Sequence, residues 1–490
     1  MNKQFGMITI DRLKSPKADV STLIVLQKDE RGMVESKLLD VEILDFVNKE
    51  LKENNRTFFT FNKISHWLVV AVVDIVEPQY KSVEALRKLG GKLLDFCDNE
   101  YIKHLQFVST LPKIYAMGFI EGMILASYTF DVYKTDPKKC IHPFDILSVV
   151  HSEIESKDIE ECLIIARAVE RCKDLVNEPY CSLNAEGLAA AFVNMSHEAG
   201  IDVEVWHKDK IESEKMGGLL AVNKGSVDPP TFTIMTYKPE SAINEQPLVF
   251  VGKGLVYDTG GLNLKPGDYM NDMKEDMAGA AMMASAIYAV ASLGLPIYIV
   301  GLFPSTDNRP CGNAYASGDI INMYDGTNVE VVNTDAEGRL ILADALAFAK
   351  SYSPFLVVDS ATLTGAASRA IGPYGIAAVQ QKADKYMSLM KQCGNNTYER
   401  IAEFPFWEEY DELIKSEIAD IKNCGPGEGG MITAGRFLAH FTDYPYLHLD
   451  IAGVAMFANK KDYINKGASG YGVRLMVDFV KSLVMNKDIK

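Results

Sequence analysis

The stretch Val329-Glu-Val-Val-Asn-Thr-Asp-Ala-Glu-Gly-Arg-Leu340 decides the reading of this chain. Val329–Val332 reads as a strand, and the run from Leu340 to Lys350 reads as a helix. Between them Asp335 and Glu337 stand two positions apart, and Arg339 follows two positions later. In extended backbone, residues i, i+2 and i+4 point the same way. Two carboxylates and one guanidinium are therefore expected to converge at a strand-to-helix turn. Carboxylates held together are costly unless a cation neutralises them. A metal site is the natural expectation, with Arg339 left over for an anion or a developing negative charge.

Working outward, a second cluster follows another strand-like run, Pro247-Leu-Val-Phe-Val-Gly252. Lys253, Asp258 and Lys265 are read as lying in a loop rich in glycine (Gly252, Gly254, Gly260, Gly261). Asp272, Glu275 and Asp276 then precede a helix of small residues, Met277–Ala291. Pro296–Gly301, Phe355–Asp359 and Tyr446–Asp450 read as further strands, and Thr362-Leu-Thr-Gly365 follows one of them. Their near-continuous apolar content suits strands covered on both faces, an α/β arrangement. Sites in open α/β sheets form beyond the carboxyl ends of strands, where these clusters are expected to sit.

Asp258, Asp276, Asp335 and Glu337 make four carboxylates, and the eight histidines avoid these loops. Oxygen-rich ligation favours Mg, Mn, Zn or Co. Two ions bridged by shared carboxylates use four carboxylates better than one ion does. Each piece has a plainer reading. A lone Asp-x-Glu is usually a solvated turn, and a lysine is usually a surface lysine. The glycine run is neither a dinucleotide fingerprint nor a phosphate loop ending in Gly-Lys-Ser/Thr, which leaves nucleotide binding a minority alternative. His448 reads as a core or supporting histidine, not a ligand. The joint occurrence carries the metal expectation.

Composition sets the frame. The 490 residues are too many for one ordinary core, so two domains are expected. The split is placed at residues 1–155 and 156–490, near the polar stretch His151–Glu161. The first part offers strands at Ser21–Leu26 and Trp67–Val73 and a helix at Val83–Cys97, but gathers no chemistry. A formal charge of −16 argues against a nucleic-acid surface. The amino-terminal stretch Met1–Ile10 has no long apolar core, so no signal peptide is read. Ala286–Phe303, interrupted by Gly294 and Pro296, reads as helix, turn and strand, and no membrane partner is expected. Eight scattered cysteines without a CxxC pair are expected to be reduced, in a cytoplasmic protein.

Asn333–Leu340 and Val251-Gly-Lys-Gly-Leu-Val-Tyr-Asp-Thr-Gly-Gly261, with Lys265 and Asp276 at their spacings, resemble the leucyl (cytosol) aminopeptidase family. Asp174–Pro179, Asn313–Tyr315, Gly318-Asp319, Ala361–Gly365, Ala419–Asn423, Ile432–Ala434 and Asp450–Gly453 add to the resemblance, which covers roughly residues 160–490. It implies an α/β fold of two domains, each a mixed sheet flanked by helices, with the larger, carboxy-terminal one catalytic. It implies a metal-dependent aminopeptidase acting on short peptides, with broad or leucine-like specificity, assembled as a homohexamer.

Carried over by position, the resemblance implies two divalent ions, Zn or Mn with Mg or Co as further options. Lys253, Asp258, Asp276, Asp335 and Glu337 would hold them, with Asp258 and Glu337 bridging. Lys265 would stabilise the tetrahedral oxyanion. Arg339, with Leu363, would hold a bicarbonate acting as general base. Met273, Asn333, Thr362, Gly365, Ala452 and Ala455 would line the substrate pocket. Ala455 stands where better-known members carry methionine, which implies a roomier pocket floor. Gly467-Ala-Ser-Gly-Tyr-Gly-Val473 departs from the usual Gly-Ala-Thr-Gly-Arg-Pro-Val, and Ser317 replaces a common proline. A scaffold or DNA-binding role is a third alternative that the acidic balance opposes.

Overall fold

Strands form here where β-branched and aromatic runs can pair and be covered. The computed structural model describes residues 8–29, 32–136 and 143–486. Cys140, His142 and the start of the stretch read for a signal, Met1–Met7, lie outside the described residues. Contacts divide the chain into Met1–Ala166 with Asn459–Asn465, and Arg167–Ala458 with Lys466–Lys490. The division falls within the helix Ser156–Asn177, beyond the polar stretch used to place it from sequence.

The first unit holds β1 (Thr9–Arg12), β2 (Ser21–Gln27), β3 (Phe58–Asn62), β4 (Trp67–Val73), β5 (His104–Ser109) and β6 (Ile146–Val150). Their order is β1-β6-β5-β2-β4-β3, and only the β3–β4 pair is antiparallel. Ile24, Leu26, Val47, Phe59 and Val70 share one buried cluster.

The second unit is built on β7 (Asp202–Trp206), β8 (Thr231–Tyr237), β9 (Leu248–Gly252), β10 (Gly254–Asp258), β11 (Ile299–Asn308), β12 (Ile320–Asn322), β13 (Asn328–Glu330), β14 (Leu356–Ala361), β15 (Ile376–Gln381), β16 (Ile401–Glu403), β17 (Ile421–Lys422) and β18 (Tyr446–Asp450). The large sheet runs β16-β15-β18-β14-β9-β11-β8-β7, with β10 beside β11. Its centre, β18-β14-β9-β11, is parallel, and every residue in those four strands is buried. This is the burial on both faces that their continuous apolar runs require. The helix Ala278–Ser292 is buried through Ala291. Its small residues let it approach the sheet closely, and a Cβ on Gly252 would come within 2.4 Å of Ala280 Cα.

Three expectations need correction. Val329–Val332 is shorter as a strand than it reads, and β13 belongs to a separate three-stranded sheet, β12-β13-β17. The octapeptide thus does not follow a strand of the large sheet. It is brought there by the helix Gly338–Ala349, whose Leu340, Ile341 and Leu342 pack in the core with Val249, Val251 and Val300. The glycine run after β9 is not simply a loop, since Gly254–Asp258 forms β10 against Ser305–Asn308. The strand read at Pro296–Gly301 begins at Ile299 and continues to Asn308. Its polar tail, Ser305-Thr-Asp-Asn308, stays in the sheet because β8 and β10 offer hydrogen-bond partners along it.

Candidate active site

Beyond the carboxyl ends of β9, β10 and β14, two lysines and four carboxylates meet. Lys253 follows β9 and is 2% exposed. Its Nζ donates to Asp276 Oδ1 at 2.7 Å and to the Thr362 carbonyl at 3.1 Å. It also lies 3.0 Å from Glu337 Oε1. Asp276 comes from the turn Met273–Met277 that leads into the helix Ala278–Ser292, and Thr362 Oγ1 donates to its Oδ1 at 2.8 Å. Asp276 Oδ2 also lies 2.7 Å from Lys253 Nζ. Glu337 Oε2 is buried and receives no hydrogen bond.

Lys265 forms the second bridge. Its Nζ lies 2.6 Å from Asp258 Oδ2 and 2.7 Å from Asp335 Oδ1. The chain reverses after Asp258 through Gly260 and Gly261, both at positive φ, which brings Lys265 back over Asp258. Asp335 reaches the cluster from a turn, where its N–H donates to Asn333 Oδ1 at 2.8 Å. The alternation expected of an extended segment is therefore not what joins Asp335 to Glu337. Carboxylate oxygens of Asp258, Asp335 and Glu337 all lie within 4.8 Å of one another.

The electrostatics follow from burial and crowding. Burial, then the Glu337 charge, push Asp258 up to about 7, against the pull of both lysines. Burial also raises Asp276 well above the usual carboxylate range and raises Asp335. For Glu337 burial works the same way, but Lys253 and Lys265 outweigh it and hold its pKa below the ordinary value. Burial lowers both lysines, and the surrounding carboxylates more than reverse this, so both stand above the ordinary lysine value. The lysines thus do the neutralising within the chain itself. A buried carboxylate oxygen without a donor, Glu337 Oε2, beside others held only by lysine cations, fits a divalent ion.

Arg339 lies on the first turn of the helix that starts at Gly338 and is 6% exposed. Its Nη1 donates to the Asn423 carbonyl at 2.8 Å, and its Nε has no partner. Burial lowers its pKa. The Leu363 N–H, expected beside it, donates to Asp450 Oδ1 at 3.2 Å.

Residues 170–477 match the description "Cytosol aminopeptidase family, catalytic domain". The chain belongs to the cytosol aminopeptidase family. It is 44% identical over 378 residues to a "Probable cytosol aminopeptidase" of Chlorobium limicola, covering 74% of each chain. A Geobacter sulfurreducens relative of the same name is 38% identical over 410 residues, covering 82% of each. The bottromycin maturation enzyme BotP in complex with Mn is similar with a TM-score of 0.83 and 27% identity, over 96% of this chain and 100% of its own. A tomato leucine aminopeptidase variant shares the fold with a TM-score of 0.86 at 24% identity, over 98% of this chain and 97% of its own. The protein is a metal-dependent aminopeptidase whose cofactor is a divalent metal. Among the described residues, no helix is long and apolar enough to cross a membrane.

Of the expected pocket residues, Thr362 is tied to Asp276 as described, and Asn333 turns the backbone toward Asp335. Ala455 is buried, Met273 and Ala452 are half-buried, and Gly365 is exposed. The glycines after β9 are pressed against neighbours, Gly252 on Ala280 and Gly254 on Ser305, so they permit packing rather than cradle a phosphate. His448 is buried, and its Nδ1 lies 2.7 Å from Asp359 Oδ1.

Two residues were not picked out from sequence. Asn423 Oδ1 accepts from Val332 N at 2.8 Å, and its Nδ2 donates to the Asn333 carbonyl at 2.8 Å. It therefore pins the octapeptide's backbone. Asn308, at the end of β11, donates to Asp258. No local sequence signal marks either, since both act on segments distant in the chain.

Proposed function

We propose that Lys253, Asp258, Asp276, Asp335 and Glu337 hold two divalent ions, Zn or Mn, and that the chain removes single residues from the amino termini of short peptides. The observation that carries this is the meeting of four carboxylates with two lysines, with the buried Glu337 Oε2 receiving no hydrogen bond. When bound, such ions lower the pKa of a water nucleophile and polarise the scissile carbonyl.

The remaining work falls to the chain. Lys265 carries a protonated amine on a partly exposed side chain and is placed to donate to the oxyanion that develops on the substrate. Arg339 offers an unpaired Nε in a buried setting, which suits a planar anion such as bicarbonate, the proposed general base. Among the described residues, no histidine hydrogen-bonds to these carboxylates to do that work. Met273, Asn333, Thr362, Gly365, Ala452 and Ala455 form the pocket for the first side chain, and the small Ala455 gives it a broad or leucine-like range. By resemblance the active form is a cytoplasmic homohexamer, and sedimentation at six times the 54.2 kDa of one chain tests that.

The deciding experiment compares wild type with Glu337→Ala by metal analysis and a panel of amino-acid amides with Mn, Zn or Co. The variant should lose both metal and turnover. Retention of both refutes the site assignment.

A further inference from the structure

Asp258 is held in place in part by a neutral side chain. Asn308 ends β11 and is fully buried. Its Nδ2 donates to Asp258 Oδ1 at 2.9 Å and to the Thr334 carbonyl at 3.0 Å. Its main-chain carbonyl accepts from Thr259 N at 3.1 Å and Thr259 Oγ1 at 2.8 Å. One residue thus joins the end of β11, the turn after β10 and the octapeptide.

The bonding on Asp258 is lopsided. Oδ1 takes two neutral donors, Asn308 Nδ2 and the Gly260 N–H at 2.8 Å. Oδ2 is left to the cation Lys265. Neutral donors orient a carboxylate without spending its charge, whereas a lysine or arginine at 308 would neutralise it. An aspartate there would turn two acceptors on each other and lose the bond to Thr334. The amide's own Oδ1 is buried and receives no hydrogen bond. An unsatisfied buried acceptor is costly, so its retention needs a compensating use of the NH2.

We infer that Asn308 is a positioning residue for metal binding. Its carboxamide fixes the Asp258 carboxylate against the Asp335–Glu337 turn, so that the metal cleft is formed before the metal arrives. This rests on the metal assignment proposed above. Partners of this kind typically alter metal affinity by about 10–100-fold.

The test titrates Mn(II) into metal-free protein and reads free Mn(II) by electron paramagnetic resonance. It uses wild type, Asn308→Ala, the equal-sized Asn308→Asp, and Glu337→Ala. Both Asn308 variants should bind Mn(II) about 10–100-fold more weakly. Their kcat at saturating Mn(II) should stay within about threefold of wild type, since the residue touches no reacting atom. If Asn308→Ala does not fold, Asn308→Asp carries the test. A wild-type Mn(II) Kd in a folded Asn308 variant overturns the inference, as does a fall in the melting temperature of the metal-free protein with Kd unchanged. If Glu337→Ala loses Mn(II) while the Asn308 variants keep it, only this inference fails. If Glu337→Ala keeps Mn(II), the metal assignment fails and this inference with it.

Discussion

The two lysines of the cluster make different contacts and should respond differently to substitution. Lys253 is buried between Asp276 and Glu337, while Lys265 keeps 14% of its side chain exposed above Asp258 and Asp335. Lys265 is thus the one a substrate can reach. Lys265→Ala should lower kcat by about 10²–10³-fold, the usual cost of removing one oxyanion donor. Metal content should be retained, because the four carboxylates remain. Loss of metal along with turnover would instead make Lys265 a structural counter-ion. Steady-state kinetics with metal analysis on the same preparation separates these outcomes.

Two joints between elements make sharper claims. Asp344, fully buried on the helix Gly338–Ala349, accepts from Leu219 N at 2.9 Å and Tyr324 N at 3.0 Å. It ties the helix that carries Arg339 to the helix Gly217–Asn223 and to the turn after β12. Burial raises its pKa to about 7 despite these donors. The folded chain then holds a proton that the unfolded chain gives up near its ordinary value of 3.8. Its contribution to stability is complete below that value and is lost as pH rises toward about 7. Asp344→Asn should remove up to about 1.4 kcal/mol per pH unit of that slope, measurable by denaturant unfolding at about pH 5 and about pH 7.

The second joint is the segment that departs from the family pattern. Gly472 has φ +98°, and a Cβ there would come within 2.1 Å of Met282 Sδ in the helix Ala278–Ser292. Proline cannot adopt that angle, so the family's usual residue would not fit this backbone. Beside it, the Tyr471 hydroxyl accepts from Arg400 N at 3.0 Å and donates to the Tyr398 carbonyl at 3.2 Å. Gly472→Ala should cost about 1–3 kcal/mol, read as a lowered thermal midpoint. An unchanged midpoint would show that the turn relaxes freely.

At the scale of the whole molecule, the metal is expected to add stability rather than create the fold. Lys253 and Lys265 already neutralise part of the cluster, and the large sheet is covered without help from the cleft. Chelated protein should stay folded by circular dichroism and melt several degrees lower. It should recover on adding Mn(II), since a ligand at about 100 times its Kd contributes about 2.7 kcal/mol. Unfolding on chelation would contradict this. The sequence alone determined the α/β class, the family resemblance, and which lysines and carboxylates were brought forward for the candidate site. Those are matters of residue type and near-neighbour spacing, and continuous apolar runs announce buried strands directly. Tertiary structure decided the rest. It moved Val329 out of the large sheet, extended β11 to Asn308, made β10 of a loop read from sequence, and joined Asp335 to Glu337 through a turn rather than by extended alternation. Asn308 and Asn423 became visible only there. Their value lies in hydrogen bonds to segments 26 to 91 residues away, which no local pattern encodes.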